Sequence, residues 1–454
     1  MHRVLVTGLG GAGRTTVAAA TALAAAATGR RTLLLSAEAD AVLGVPVTGT
    51  PARPDRIADG LWAGLVDAGA DFRAEFLDLQ KRASAGLDLL GAARLEDEEL
   101  TELPGSEQFA LLRALTVASR GDWDVLVLDM PPLRETIALL ALPEQLRRYL
   151  RRLLPAERQA ARALRPMLAQ LAGVPMPAQW LYETAERWDS ELAGVQSVIE
   201  SGNTALTLVA EPGPAAADAL RTARAGLGLF GHRVGTVVAN RCVPEGSEDP
   251  FVASLGAQQE RCRQEWLSAW TPAASVCLLP HLGRDPRGLD DLARLQKEAN
   301  CCSFEHHFAD DPEGYGLDGL VTALHGDREG PRPGPGRVEN VHEEAVRRHE
   351  EIASLADTDN IWHGRNGRIP KEPRPGPAAD DGTLVWHLDL PGAVKEQLTL
   401  VRRGDELLIT VGPFRRILPL PSALRRCTVA GAGLRDGTLS VRFTPDPALW
   451  PRGR

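Results

Sequence analysis

From residue 1 to about residue 325, short runs of β-branched and leucine residues alternate with longer stretches rich in Ala, Leu and Arg. Apolar runs of this length, bounded by turn residues, read as strands buried on both faces, and the longer stretches read as helices. Strands are expected at residues 3–7, 32–36, 125–129, 206–209, 234–239 and 275–279. Strands and helices in alternation build a mostly parallel sheet covered by helices, so residues 1–325 are assigned an α/β domain. The pattern stops there. Residues 326–381 are dominated by Pro, Gly and charge, as in Pro331-Arg332-Pro333-Gly334, and read as a linker interrupted by a charged helix over residues 340–356. Residues 382–454 alternate apolar and polar positions, as in Leu384-Val385-Trp386-His387-Leu388 and again at 398–401, 407–411 and 439–443. With turn dipeptides at Pro391-Gly392, Gly404-Asp405 and Asp436-Gly437, this period of two predicts a C-terminal antiparallel β-sandwich.

Composition changes this picture only at the margins. The chain of 454 residues has 44% apolar side chains, enough for a large core. Its net charge is −9; residues 382–454 carry +5, leaving −14 on the remainder, so nucleic acid is not an expected partner. Neither a secretory leader after Met1-His2-Arg3 nor an apolar run of about 20 residues is read, which places the protein in the cytoplasm. In that reducing setting the six cysteines (Cys242, Cys262, Cys277, Cys301, Cys302, Cys427) are expected to be free thiols.

The strongest chemical signal lies between the first strand and an Ala-rich helix, where the sequence reads Gly8-Leu9-Gly10-Gly11-Ala12-Gly13-Arg14-Thr15-Thr16. The glycines let backbone N–H groups converge on phosphate oxygens, the helix start adds positive partial charge, and Thr15 supplies a hydroxyl for Mg²⁺. Gly10, Gly11, Ala12, Gly13, Arg14, Thr15 and Thr16 are therefore candidate nucleotide-binding residues. Arg14 stands where this loop type carries Lys, and its planar fork differs in reach from a compact ammonium.

With its context, this loop resembles that of the ArsA-like ATPases, a deviant P-loop family of arsenite-pump motors and tail-anchored-protein targeting factors. The family's K-G-G-x-G-K-T-T loop uses one Lys in cis and a second across a dimer; Leu9 and Arg14 occupy those positions here. Six further segments are similar. Pro104-Gly105-Ser106-Glu107 resembles the segment before the second phosphate-sensing strand, and Asp122 to Asp129 resembles that strand, which implies that Asp129 holds the Mg²⁺ shell. Met130 to Thr136 resembles a second switch that has lost its Gly and His, and Ser36-Ala37-Glu38-Ala39-Asp40 resembles the first. Glu38 takes the water-orienting place, with Asp40 as the competitor. Val237 to Glu245 and Leu279-Pro280 resemble the adenine-reading elements, which assigns Asn240 and Pro280 to the base. Residues 382–450 resemble the small heat-shock domain, with Ala432 to Leu439 matching its A-x-x-x-[ND]-G-x-L signature, a fusion known from one branch of the family.

The resemblance implies an ATP- and Mg²⁺-dependent protein, a homodimer or a heterodimer with a sibling ATPase, and a hydrophobic polypeptide client. The lost lysines and degraded switches imply slow hydrolysis. The alternative is a catalytically degenerate scaffold that pairs with an active sibling. Two other features weigh less. Cys301-Cys302 with His306-His307 reads as the end of a surface helix, with zinc as the alternative. The stripe of Leu146, Tyr149, Leu150 and Leu153, continued by Leu164 and Met167, reads as a core-facing helix face, with a client groove as the alternative.

Overall fold

The computed structural model describes residues 1–82, 95–154, 179–244, 246–271, 273–302, 384–435 and 437–449. The expected linker and its helix, residues 164 and 167 of the apolar stripe, and His306 and His307 lie outside them, as do the side chains of Cys301 and Cys302. No described helix is long and apolar enough to cross a membrane.

Two compact units divide the chain: Met1–Ala216 with Val234–Leu324, and Ala217–Arg233 with His325–Arg454. In the first, a nine-stranded sheet has the order β3-β4-β2-β5-β1-β6-β7-β8-β9. The strands are β1 His2–Gly8, β2 Thr32–Ser36, β3 Asp55–Ala58, β4 Leu61–Leu65, β5 Val125–Pro132, β6 Thr204–Ala210, β7 Val234–Cys242, β8 Ser275–Pro280 and β9 Asn300–Cys302. The seven inner strands are parallel, and β3 and β9 run antiparallel at the two edges. All six strands expected from the apolar runs are present. The β3–β4 pair and β9 are additional; β3 is half-exposed and short, and neither it nor Trp62-Ala63-Gly64 in β4 makes a long apolar run.

Cys277 in β8 is disulfide-bonded, which overturns the expectation of free thiols at that position. Its cross-strand register neighbour on the edge strand β9 is Cys301. Cys242, Cys262 and Cys427 are free.

Helix α1, Arg14–Ala27, leaves the phosphate loop and is buried along nine of its fourteen residues. A helix that is apolar all round belongs inside, and its alanines let it lie close between the sheet and its neighbours. Val17, Ala18, Ala22 and Ala25 form one core with Val4, Leu34, Val127 and Val238 from the strands. Thr28 closes its end by donating from Oγ1 to the Ala25 carbonyl at 2.7 Å. Among the described residues the other α-helices of this unit are α2 Ala39–Leu43, α3 Ala68–Arg82, α4 Ser106–Ala118, α5 Leu133–Leu153, α6 Gln179–Ile199, α8 Pro250–Trp270 and α9 Gly288–Glu298.

The second unit contains helix α7, Pro214–Phe230, from Ala217 onward, although in the chain α7 is the crossover between β6 and β7. Two three-stranded antiparallel sheets accompany it, β10-β15-β14 and β11-β12-β13. Their strands are β10 Leu384–Asp389, β11 Leu398–Arg403, β12 Glu406–Val411, β13 Phe414–Pro419, β14 Cys427–Arg435 and β15 Thr438–Pro445, with a short helix α10 at Ser422–Arg425. Trp386, Leu388, Leu400, Ile409, Val441 and Phe443 are buried between them, as the alternation of apolar and polar positions requires. Helix α7 packs on β13. Phe414 lies so close to Gly226 that a Cβ there would sit 2.5 Å from the ring, and Arg416 donates to the Leu229 carbonyl at 2.9 Å.

Candidate functional site

Parallel neighbours place the carboxyl ends of β2, β5, β1 and β7 along one edge of the sheet, where open α/β sheets bind ligands. The loop after β1 turns through Gly11 (φ 75°) and Gly13 (φ 86°) before α1 begins, a path that residues with a Cβ avoid. At Gly10 and Gly11 a Cβ would meet nothing within 4 Å, so the loop has open space beside it. At Gly13 it would sit 2.5 Å from Asn240 Nδ2, so this glycine is demanded by packing as well as by φ.

Asp129 is the electrostatic centre. Its Oδ2 accepts from Thr15 Oγ1 at 2.8 Å and from Ser36 Oγ at 2.9 Å, joining the ends of β5 and β2 to the start of α1. Its Oδ1 is buried with no hydrogen-bond partner among the described residues. Burial pushes this carboxyl above its ordinary range, the two hydroxyls and Arg14 pull it back, and Glu38 pushes it up further. An orphaned carboxylate oxygen beside a threonine hydroxyl at a phosphate loop is a fit for a hard divalent cation. Ser36 was not among the sequence-derived metal candidates. Its signal was its position at the end of the strand beside β5, which becomes visible only once strand order is known.

The other candidates fall into place unevenly. Arg14 spends a guanidinium N–H on the Met130 carbonyl, next to Asp129. Leu9 packs against the core around α1. Glu38 is exposed, precedes α2 without a side-chain capping bond and lies close enough to act on Asp129, whereas the Asp40 carboxylate accepts locally from the Ala41 N–H at 2.8 Å. Asn240 is buried and donates from Nδ2 to the Ala12 carbonyl at 2.7 Å. With Gly13, Thr16, Pro280 and Asp285 it lines one cleft.

Residues 130–136 form no loop. β5 continues to Pro132, which pairs with Gly8, and α5 starts at Leu133. The Thr7 and Thr136 hydroxyls lie 2.9 Å apart, and each reaches the Pro131 carbonyl, at 2.8 and 2.7 Å. Both threonines are fully buried. Among the described residues no cluster of three His, Cys, Asp or Glu side chains could hold a metal ion. The Cys242 thiol, two residues past Asn240, is pushed up to about 12 by burial, which leaves it protonated and unreactive at neutral pH.

Comparison with known proteins converges on one family. The family model described as Anion-transporting ATPase matches residues 1–300, and that of the HSP20-like domain found in ArsA matches residues 381–443. An uncharacterized protein of Streptomyces coelicolor is 49% identical over 457 residues, covering all of both chains. A protein of Aquifex aeolicus named "Putative arsenical pump-driving ATPase 1" is 24% identical over 94% of this chain and 95% of its own. A Mycobacterium tuberculosis protein is 26% identical over 98% and 97%. With a phosphate loop, a strand-end aspartate and a C-terminal sandwich in the order that both family models span, the chain belongs to the ArsA family of anion-transporting ATPases, in its form with an HSP20-like domain.

Proposed function

We propose that the protein binds ATP with Mg²⁺, hydrolyses it slowly, and couples its nucleotide state to the binding of a hydrophobic client or partner. The observation that carries the nucleotide reading is Asp129, whose buried, unpartnered Oδ1 faces no protein donor while Thr15 and Ser36 hold its other oxygen. Thr15 and Asp129 would hold the ion, which supplies charge neutralisation to the β- and γ-phosphates. The N–H groups of the loop from Gly10 to Thr16 cradle the phosphates, and Asn240 and Pro280 bound the base. Glu38 orients the attacking water.

Slow hydrolysis follows from two features. The Arg14 guanidinium is engaged with the Met130 carbonyl, and no lysine stands at position 9 or 14 to follow the charge that develops on the transferring phosphoryl group. The Thr7–Thr136 clasp holds residues 130–136 as a strand running into a helix, so a γ-phosphate has no loop there to order. That clasp favours a second reading, a nucleotide-binding scaffold in a dimer with an active sibling ATPase, over a self-sufficient motor. Exposed Tyr149 and Leu153 on α5 and Trp188 on α6 support an apolar client.

Calorimetry with ATP in Mg²⁺ and in EDTA, together with steady-state turnover of wild type and Arg14→Lys, tests the reading. Mg²⁺-dependent binding is expected, with turnover that rises about tenfold in Arg14→Lys as the point charge returns. Absence of binding would remove the nucleotide reading, and rapid wild-type turnover would remove slow hydrolysis.

A further inference from the structure

We propose that Arg241 is a positioning residue, a strut that ties residues 281–287 to the phosphate loop and thereby sets affinity for the nucleoside part of a nucleotide without itself holding phosphate. The inference rests on the nucleotide reading above.

Arg241 is the one non-glycine with a positive φ among the described residues, at 58°. Left-handed backbone is disfavoured for any residue with a Cβ, and it persists where surrounding contacts over-determine it, often at functional sites. Here those contacts are specific. Buried Gln259 donates to the Arg241 carbonyl at 3.2 Å and accepts from the Val243 N–H at 2.9 Å, fixing the end of β7 on both sides of the turn. The side chain is thereby sent across the mouth of the cleft. One guanidinium nitrogen donates to the Gly11 carbonyl at 3.0 Å, and the other reaches Asp285 Oδ1 at 3.4 Å.

Both ends of the strut lie on structured loops. The Gly11–Ala12 peptide is held on its other side by the Ala12 N–H to the Leu9 carbonyl at 3.2 Å, so Arg241 completes the fixing of that peptide. On the opposite side, Asp291 at the start of α9 accepts a two-pronged hydrogen bond from Arg284 at 2.5 and 2.6 Å and another from the Arg287 N–H at 2.9 Å. The loop carrying Asp285 is thus anchored at its far end on α9, and at the near end the His281 N–H donates to the Cys242 carbonyl at 2.8 Å. Between these anchors Asp285 meets Arg241. A guanidinium spent on a loop carbonyl and a carboxylate joins two walls of the cleft; phosphate is met by the N–H groups of the loop, whereas Arg241 acts on a carbonyl. The exposed pair with Asp285 is weak taken singly, so its effect lies in where it holds the loop.

The test compares wild type, Arg241→Ala, Arg241→Lys, Asp285→Asn and the double variant Arg241→Ala with Asp285→Asn. Binding of ADP and of tripolyphosphate is measured by calorimetry, and amide hydrogen exchange is followed without ligand. Arg241→Ala and Asp285→Asn are each expected to weaken ADP about tenfold and tripolyphosphate less than twofold. Arg241→Lys, which keeps the charge but cannot span both acceptors, is expected to lose nearly as much ADP affinity as Arg241→Ala. The double variant should be no worse than either single one, and residues 281–287 should exchange faster in both without a change in melting temperature. Equal losses for ADP and tripolyphosphate would make Arg241 a phosphate ligand and overturn the proposal, as would full rescue by Arg241→Lys or unchanged exchange. If wild type binds neither ligand, the nucleotide reading fails, and the strut stands or falls on exchange alone.

Discussion

Asp129 shows how one residue serves binding at a cost to folding. Its carboxyl is raised above the ordinary range chiefly by burial, so the folded chain bears a penalty for keeping it charged at neutral pH. An orphaned Oδ1 adds to that penalty, and a divalent ion would remove both. Asp129→Asn is therefore expected to lower nucleotide affinity in Mg²⁺ by about 10–100-fold, leave affinity in EDTA nearly unchanged, and keep or raise the melting temperature. Equal losses with and without Mg²⁺, or a marked drop in melting temperature, would mark Asp129 as structural. The sequence singled out Asp129 and Thr15 because a loop motif and a strand end carry local signatures. Ser36 ended an expected strand and opened a switch-like segment, but nothing local tied it to Asp129.

At the scale of elements, α7 and its C-terminal extension carry a titration built into the packing. His232 follows α7, stacks on Phe230 at 6.0 Å between ring centroids and donates its backbone N–H to the Leu227 carbonyl. Burial, with the nearby Arg416 charge, pulls its imidazole down from 6.5 to about 3, and its Nε2 has no partner among the described residues. Because the unfolded chain binds this proton more tightly than the folded one, stability is whole above about pH 6.5 and erodes as pH falls toward 3. Between pH 7 and 5 the loss amounts to about 2 kcal/mol. Chemical denaturation at the two pH values should show this loss in wild type and its disappearance in His232→Phe; an identical pH dependence would sink the assignment. The alternation of strands and helices placed a helical stretch between the strands at 206–209 and 234–239 but could not attach it to strands nearly two hundred residues away, since Gly226 and Phe414 meet only in the folded unit.

For the whole molecule, the division of the chain is the main consequence. A period of two in residues 382–454 implies a sandwich that folds by itself, whereas the observed unit also takes in Ala217–Arg233. Phe414 is 7% exposed with α7 in place, and Gly392 approaches the helix so closely that a Cβ would lie 3.0 Å from the Arg221 carbonyl. A fragment of residues 382–454 is therefore expected to melt below its temperature in the presence of a peptide of residues 214–233. A peptide carrying Gly226→Val, which cannot accept the Phe414 ring, should give no such gain. No stabilisation by the native peptide would show that the sandwich is self-sufficient.

What the sequence determined by itself was everything written in local pattern. Apolar runs gave the six central strands, alternation gave the C-terminal sheets, and glycine spacing gave the phosphate loop, because burial and backbone freedom act on neighbouring residues. Tertiary structure alone decided what depends on strand order and register: Ser36 beside Asp129, Cys277 opposite Cys301, Arg241 between Gly11 and Asp285, and α7 against β13. It also made residues 130–136, which resemble a degraded switch, the junction of a strand and a helix. Neither Thr7 nor Thr136 carries that meaning alone; two hydroxyls and one carbonyl acquire it when strand pairing brings positions 129 residues apart to 2.9 Å.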